Sequence, residues 1–444
     1  MKFELLTTYG NGKQKEETLQ FQDDVSGIEN EVVNLYPEVK YQKLEGFGGA
    51  ITDAAAYVYS QMSEEQKRLL MNRYFSSEQM KYGMVRIHMD SCDFSTGMYE
   101  AMSDPKDIKL QSFSFERTEK YIIPMLEDAQ TAAGKKLPIM LSPWSPPAFM
   151  KTNGKRINGG SLKQEYYGMW AKYICRYIKE FKERGYVVQR ISLQNEAKAV
   201  QTWDSCVYTP EQEKTFLRDY MYPELEKNGW SDIEVFIWDH NKERVYDRAV
   251  QVIDDETRNM VDGVAFHWYS GDHFEALDLV RRTFPKLKMV ISESCIEYTK
   301  FGAEEQFANA ARLSHEIIGD LNHGVCAFYD WNILLDETGG PNHVGNLCHA
   351  PFLYDRENQK LLPQLIASHF YHFSHFIEQG AVRLACTKYT DEIDVTAFEN
   401  PDGRIVVVIL NRTSDPVSVV LRIQEEIVKL KIEGTTISTG ILKI

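Results

Sequence analysis

This sequence of 444 residues shows no cysteine pattern typical of cross-links, no long apolar run and no apolar segment of the secretory type among its first residues. The seven cysteines are odd in number, lie far apart and include no C-x-x-C pair. That pattern argues against a disulfide framework or a zinc ribbon and favours free thiols. No stretch of 18 apolar residues occurs, so we expect no stable membrane insertion. The opening residues MKFELLTTYGNGKQKEE have no apolar core. We therefore expect a cytoplasmic protein, with secretion after removal of a leader as the alternative.

Positive charge is also in short supply. The chain has 50 Lys and Arg against 65 Asp and Glu, a net charge of −15. An acidic surface disfavours nucleic acid and anionic membranes, so we expect no nucleic-acid partner. Apolar residues (43%) and aromatic residues (12%) are plentiful. The length suits one large domain with a smaller one beside it, and the composition suits an enzyme that acts on a neutral substrate.

Eight short apolar runs, rich in Val, Ile, Phe or Met, alternate with amphipathic stretches through the middle of the chain. This alternation predicts a parallel sheet covered by helices, and eight units predict a closed (β/α)8 TIM barrel. The rival, a doubly wound sheet, needs a G-x-G-x-x-G phosphate loop, which GFGGA lacks. The predicted strands are 46–51, 84–89, 137–144, 188–196, 234–240, 263–269, 288–294 and 324–332. The predicted helices are 63–75, 114–133, 164–185, 209–229, 271–284 and 304–320.

The two ends of the chain have a different texture. Residues 382–444 alternate apolar and polar positions between Asn, Gly and Pro turns, and residues 1–38 resemble them. This pattern predicts an antiparallel β-sandwich side domain formed by both termini. We therefore divide the chain into N-terminal sandwich strands (1–40), a catalytic barrel (41–378) and the C-terminal part of the sandwich (379–444).

Polar groups follow the predicted barrel strands at their carboxyl ends, where barrel enzymes carry their active sites. The fourth strand ends in Asn195 and Glu196, and the seventh ends in Glu293. Two carboxylates that face each other across a barrel meet the requirement of glycoside hydrolysis. Glu196 is the predicted acid/base, with a pKa raised by burial and by a negative neighbour, and Glu293 is the predicted nucleophile. The opposite strand ends carry nothing comparable.

Other residues at the same ends are predicted to support this pair. Arg86 is expected to orient a carboxylate, and Asp239 to be an ion-pair partner behind the site. Trp144 and Trp331 are candidate platforms under sugar rings, and Asn195 can bond a sugar hydroxyl.

Two further classes of protein are weighed against a glycosidase. The first is a metal-dependent barrel hydrolase, whose ligands would be His88, Asp90, His240 and His267. No H-x-H or H-E-x-x-H motif occurs in the sequence. A non-catalytic sugar-binding protein would keep the tryptophans and lose a carboxylate, whereas both Glu196 and Glu293 are present.

Several motifs together resemble glycoside hydrolase family 30, in its glucosylceramidase and bacterial β-1,6-glucanase branch. They are EGFGGAITDAAA (45–56), SCDFS (91–95), LSPWSPPAFMKTNG (141–154), LQNEA (193–197), TWDSC (202–206), WDH (238–240), FHWY (266–269), SES (292–294) and DWN with GGPNHVGN (330–346). One departure is Ala197, where many members have proline.

The resemblance implies a barrel with a side β-sandwich, an acid/base at Glu196 and a nucleophile at Glu293. It further implies a set of substrate-binding residues: Asp93, Trp144, Asn195, Tyr269, Trp331 and Asn346. We add His267 to this set, we expect Arg86, Asp239 and His240 to support it, and we expect no metal and no cofactor.

The expected substrate is a carbohydrate or a glycolipid. We expect a retaining β-glycoside hydrolase that acts on β-linked glucose, in β-1,6-glucan or gluco-oligosaccharides. Glucosylceramide, β-xylosides and β-fucosides are the alternatives. The stretch 198–206 is predicted to contact the leaving group.

Overall fold

The structure, a computed structural model, describes residues 1–443. Its strands form a barrel, a sandwich and a small three-stranded sheet. In chain order they are β1 (Lys2–Tyr9), β2 (Gln14–Gln20), β3 (Gln22–Asp23), β4 (Val32–Lys43), β5 (Gly46–Ala50), β6 (Met84–Met89), β7 (Pro138–Pro143), β8 (Val187–Ser192), β9 (Glu234–Asn241), β10 (Gly263–His267), β11 (Lys288–Glu293), β12 (Ala327–Asp330), β13 (Leu335–Asp336), β14 (Phe352–Asp355), β15 (Lys360–Pro363), β16 (Val382–Thr387), β17 (Ile393–Glu399), β18 (Arg404–Asn411), β19 (Val417–Ile423), β20 (Glu426–Ile432) and β21 (Thr436–Lys443).

Helices separate the barrel strands, and three of them begin at a capping side chain. Ser63 accepts a hydrogen bond from the backbone of Gln66, and Thr209 forms a reciprocal capping box with Gln212, which satisfies N–H groups that a helix start leaves free. The helices are α1 (Asp53–Ser60), α2 (Glu64–Phe75), α3 (Glu116–Ala133), α4 (Tyr167–Glu183), α5 (Pro210–Phe216), α6 (Tyr222–Lys227), α7 (Val245–Val252), α8 (Phe274–Thr283), α9 (Tyr298–Phe301), α10 (Gln306–Asn322) and α11 (Leu365–Ser374). A π-helical turn, Leu217–Met221, joins α5 to α6.

The eight strands β5 to β12 close into a parallel barrel, which confirms the (β/α)8 prediction. Their order around the ring follows the chain, and β12 pairs with β5. Nearly every strand residue is buried, because one face meets the barrel interior and the other meets the helices. All eight strands lie where the apolar runs predicted them. No helix among residues 1–443 is long and apolar enough to cross a membrane.

The amino ends of the barrel strands hold a cluster of charges that the sequence prediction missed. Arg190 is buried and pairs with Glu45 and Glu234, and Lys288 pairs with the same two carboxylates. We expected the amino ends of the strands to carry no group of polar side chains like the one at the carboxyl ends, and this expectation is wrong. The cluster is a closed set of opposite charges at the bottom of the barrel, where characterised TIM-barrel enzymes carry stability rather than chemistry.

Strands from both ends of the chain form the predicted β-sandwich. The hydrogen-bonded order is β2-β1-β21-β18-β17-β16-β4-β19-β20-β3, and this sheet folds over an apolar core that includes Phe3, Val33, Val407 and Leu421. Every pair is antiparallel except β4 with β19, which is parallel. The sandwich packs on the barrel through α11, where His372 lies between Thr8 and Thr439.

Candidate active site

A pocket of about 130 Å³ opens at the carboxyl ends of the barrel strands. Of the twelve predicted site residues, eight line it and four lie directly behind it. The lining residues are Asp93, Trp144, Glu196, His240, Tyr269, Glu293, Trp331 and Asn346. Those behind are Arg86, Asn195, Asp239 and His267, each hydrogen-bonded or ion-paired within the site. The structure thus brings the predicted set together.

A larger groove of about 500 Å³ lies on the other side of Tyr269. Its two carboxylates already have partners, because Asp272 pairs with His315 and Glu316 pairs with Lys242. Size alone would favour this groove, but the smaller pocket holds the carboxylate pair and the stacked tryptophans. The smaller pocket is therefore the candidate catalytic site.

Glu293 is the last residue of β11, and two donors fix its carboxylate. Arg86 Nη1 donates to Oε2 at 2.7 Å, and the Tyr269 hydroxyl donates to Oε1 at 2.8 Å. Only 7% of the Glu293 surface is exposed. The carboxylate therefore has one defined orientation at the bottom of the pocket, which a nucleophile requires.

Arg86, on β6, is the fully buried centre of this arrangement. Its guanidinium also donates to Asn195 Oδ1 at 2.8 Å and to Asp239 Oδ2 at 2.9 Å. Burial lowers the pKa of Arg86, but the charges of Asp239 and Glu293 raise it further, and the net direction is upward. A planar fork that binds several acceptors at once is a geometry that lysine cannot supply. The predicted roles of Arg86 and Asp239 as charge partners agree with these contacts.

Glu196 lies four residues beyond the end of β8, and its backbone has a φ of +50°. Its Oε1 atom lies 3.4 Å from His267 Nδ1 and 3.5 Å from His240 Nδ1. Burial raises the pKa of Glu196, but the two imidazoles lower it more, so the net direction is downward. The prediction of a raised pKa is therefore wrong for the free site, because the sequence does not show which charges surround the carboxylate.

His267 is buried among three carboxylates. Its Nε2 atom is 3.1 Å from Asp239 and 3.9 Å from Glu293, while Nδ1 faces Glu196. Burial lowers the pKa of His267, but Glu293, Asp239 and Glu196 raise it to about 9. At neutral pH the neighbouring His267 and Glu196 side chains therefore hold one proton between them, and in the free site it resides on His267.

The atoms of Glu196, His240 and His267 lie within 4.8 Å of one another and could in principle hold a metal ion. A metal-bound imidazole must be unprotonated at the binding nitrogen, and the neighbouring carboxylates raise the pKa of His267 to about 9 in the empty site, so a metal would have to displace that proton. The other two residues of the predicted metal set lie elsewhere: His88 accepts from the backbone of Asp53, and the Asp90 carboxylate is held by tyrosine hydroxyls. The four residues of that alternative do not converge.

The apolar floor of the pocket is a pair of stacked tryptophans. Trp144 and Trp331 have ring centroids 5.2 Å apart and planes inclined by 19°. Asp93 lies beside them, and Asn342 donates to its carboxylate at 3.3 Å. Burial raises the pKa of Asp93, and the nearby carboxylates of Glu293 and Glu196 add to that rise. The floor thus offers an apolar face next to a polar group, as a sugar ring requires.

Seven lining residues were not predicted: Phe94, Gln201, Trp203, Asn241, Cys295, Glu297 and Cys348. Gln201 and Trp203 fall in the stretch 198–206 that was predicted to contact the leaving group. Glu297 follows Glu293 by four residues, and this closeness in sequence was the only signal that could have identified it.

Family models match both parts of the chain. The Glycosyl hydrolase family 30 TIM-barrel domain matches residues 44–377, and the Glycosyl hydrolase family 30 beta sandwich domain matches residues 380–440. The chain belongs to glycoside hydrolase family 30. Its predicted family and its identification as a glycoside hydrolase are thereby confirmed.

Three similar proteins place this family 30 chain among known members. Lysosomal acid glucosylceramidase of Mus musculus is 32% identical over 406 residues, which cover 87% of this chain and 78% of the relative. Endo-1,6-beta-D-glucanase of Neurospora crassa is 24% identical over 411 residues, which cover 86% of this chain and 82% of the relative. The crystal structure of SrfJ from Salmonella typhimurium is 34% identical, superimposes with a TM-score of 0.96, and each chain covers 100% of the other.

Proposed function

We propose that this family 30 enzyme is a retaining β-glucosidase that uses Glu293 as nucleophile and Glu196 as acid/base. One observation carries the retaining mechanism. The Glu293 carboxylate lines the same small pocket as Glu196 and is fixed by Arg86 and Tyr269, so it is oriented to attack the sugar itself. A retaining enzyme uses its second carboxylate in this way, at a separation of ~5–5.5 Å, whereas an inverting enzyme separates its carboxylates by ~6.5–9.5 Å to admit a water molecule.

The first chemical step forms a glycosyl ester. Glu293 attacks the anomeric carbon, and the bond between that carbon and the leaving oxygen breaks. The proton shared by Glu196 and His267 passes through Glu196 to the leaving oxygen. In the second step Glu196, now a base, takes a proton from water, whose oxygen attacks the anomeric carbon and releases Glu293. Arg86 and Tyr269 hold Glu293 in place through both steps.

The small pocket supports glucose as the sugar that is released. Its floor is the Trp331 and Trp144 stack, and Asp93 and Asn346 stand at its side. A pocket closed on its inner side binds a terminal sugar, because no space remains for the chain to continue inward. We therefore propose removal of single glucose units from a β-linked end.

The outer wall of the pocket supports a hydroxylated leaving group. It carries Gln201, Asn241 and Glu297, which are polar and line the same cavity. The Neurospora crassa relative is an endo-1,6-β-glucanase by name. We propose β-1,6-linked gluco-oligosaccharides as the principal substrates.

A second candidate substrate is glucosylceramide. The relative at 32% identity is a glucosylceramidase by name. Three exposed apolar side chains stand on loops that follow the barrel strands, namely Met98 (53%), Val200 (66%) and Val344 (37%). An apolar rim suits a lipid that approaches from a micelle or membrane surface.

Product analysis distinguishes the two substrates. Purified enzyme is incubated with a β-1,6-gluco-oligosaccharide and, separately, with glucosylceramide in detergent, with Glu293→Gln as the blank. Release of glucose from the oligosaccharide supports the first proposal, and release from the lipid alone supports the second. Activity confined to β-xylosides or β-fucosides would refute glucose as the sugar.

Leaving-group dependence tests the role of Glu196. Glu196→Gln should reduce hydrolysis strongly for a sugar leaving group and much less for an activated aryl glucoside, whose departure needs no proton. If NMR shows that the glucose released first has the β configuration, the anomeric configuration of the substrate is retained. Equal losses on both substrates, or an inverted first product, would contradict the mechanism.

A further inference from the structure

Two side chains that the proposed mechanism does not use line the outer part of the catalytic pocket. Trp203 lies in the loop after β8, and Glu297 lies in the loop after β11. Glu196 also follows β8, and Glu293 ends β11. Two other strands separate β8 from β11 around the ring. Trp203 and Glu297 come later in these loops than Glu196 and Glu293 do, and both are partly exposed where they line the pocket. We therefore place them at its outer part, where a leaving group departs.

The loop that carries Trp203 is anchored by a buried ion pair. Asp204 accepts from Arg156 Nε at 2.7 Å, and the backbone of Ser205 donates to the Arg156 carbonyl at 3.0 Å. Both anchor residues are buried, whereas Trp203 is half-buried and packs on the apolar cluster at the floor of the pocket. An indole that is held by its backbone and partly open to a cavity is a preorganised platform for a sugar face.

Glu297 has no structural task that explains its position. It caps the four-residue helix α9 but makes no side-chain capping hydrogen bond. Burial raises its pKa, Lys300 lowers it, and the charges of Glu196 and Glu293 raise it again. A backbone bridge to Cys348 fixes its place in the wall. The nearby Lys300 ammonium donates its hydrogen bond to the Tyr269 carbonyl, so the Glu297 carboxylate is free to accept hydrogen bonds from a ligand in the pocket.

We propose that Trp203 and Glu297 form the binding site for the leaving-group sugar, an inference that rests on the proposed glucosidase function. The indole stacks on the apolar face of a neutral hexose, and the Glu297 carboxylate accepts hydrogen bonds from its hydroxyl groups. The acidic surroundings repel a leaving group that carries a carboxylate, phosphate or sulfate.

Two substrates with different leaving groups test this site. A β-1,6-linked diglucoside has a sugar leaving group, whereas β-glucosyl fluoride releases only fluoride and so does not need the site. Glu297→Gln and Trp203→Ala should each reduce kcat/KM on the diglucoside by about tenfold, mainly through KM, because each removes one strong contact. The ratio of kcat/KM on the diglucoside to kcat/KM on glucosyl fluoride should fall by about tenfold in each variant, since only the diglucoside places a sugar against these two side chains.

Matched controls and thermal unfolding separate binding from folding. Glu305→Gln alters an exposed carboxylate in the same loop, and Trp230→Ala alters a half-buried tryptophan away from the pocket; both should leave the ratio of the two activities unchanged. Equal losses on both substrates, or no loss on either, would overturn the inference.

The wild-type enzyme distinguishes this inference from the function on which it rests. An enzyme that cleaves glucosyl fluoride and glucosylceramide but not the diglucoside remains a glucosidase and has no sugar site at Trp203. An enzyme inactive on glucosyl fluoride as well would refute the glucosidase proposal itself.

Discussion

Replacement of His267 by glutamine is the sharpest test of the proton arrangement in the site. The imidazole lies between Glu196, Asp239 and Glu293, and burial, which lowers its pKa, is outweighed by these carboxylates. Its pKa rises from the ordinary value of 6.5 to about 9. Glutamine keeps a hydrogen-bonding side chain of similar length but carries no titratable proton.

The shift gives an expected change in stability. A difference of about 2.5 pKa units at ~1.36 kcal/mol each corresponds to ~3 kcal/mol of stabilisation of the folded protein. Because the folded pKa is raised, this contribution is complete below pH 6.5 and is lost as the pH rises from 6.5 through 9. The free energy of unfolding of wild type, relative to His267→Gln, should therefore fall by ~3 kcal/mol across that window.

Urea unfolding at pH 6, 7.5 and 9.5 measures this difference, with the exposed His273 replaced by glutamine as a control. The same arrangement predicts the pH dependence of activity. Wild-type kcat/KM should decline near pH 9, where the pair of His267 and Glu196 loses its shared proton, and the decline should begin at lower pH in His267→Gln. A stability difference independent of pH, together with an unmoved alkaline limb, would refute the reasoning.

Three further predictions concern charges in and near the site and the need for a metal. Arg86→Lys keeps the charge but removes the planar fork that reaches Glu293, Asn195 and Asp239; kcat should fall by about 100-fold, and an unchanged kcat would show that the fork is dispensable. Burial raises the pKa of Glu316 to about 9 and of Asp320 to about 6, so at pH 8 the buried carboxylate that depends on the Lys242 cation is Asp320. Lys242→Met should therefore cost ~3–5 kcal/mol in urea unfolding at pH 8 and less at pH 5, where Asp320 is largely protonated. Activity should survive dialysis against a chelator, whereas loss that added metal restores would support the metal-dependent alternative.

The barrel and its catalytic pair could be predicted because both follow from local pattern. Burial on two faces makes each barrel strand a short apolar run, and eight such runs separated by helices leave few other folds. Glu196 and Glu293 each stand out as a charge at the end of an apolar run. Strand order predicts that they lie at the same end of the barrel, whereas the final position of Glu196 depends on the turn that follows β8.

The contacts made by His267, Trp203 and Glu297 could not be predicted in the same way. His267 approaches Glu196 across 71 positions of the chain, and its proton depends on three carboxylates that arrive from three strands. Sequence pattern alone therefore predicts the wrong direction for the pKa of Glu196 and suggests a metal role for His267. Trp203 and Glu297 lie in loops whose paths depend on anchors elsewhere, such as the buried Asp204.

Backbone strain at the strand ends is the last feature that the pattern does not reveal. Asp90, Glu196, Trp238, Asp239 and Asn332 all have φ between +45° and +75°, and each lies in the last part of a barrel strand or within four residues beyond it. Side chains with a Cβ rarely adopt this left-handed region, and each instance costs ~1–3 kcal/mol. At Asp239 the strain coincides with a register shift between β9 and β10. Such strain is typical of functional sites, and here it falls on residues such as Glu196 and Asp239 whose side chains meet at the candidate pocket, while balanced ion pairs close the opposite end of the barrel.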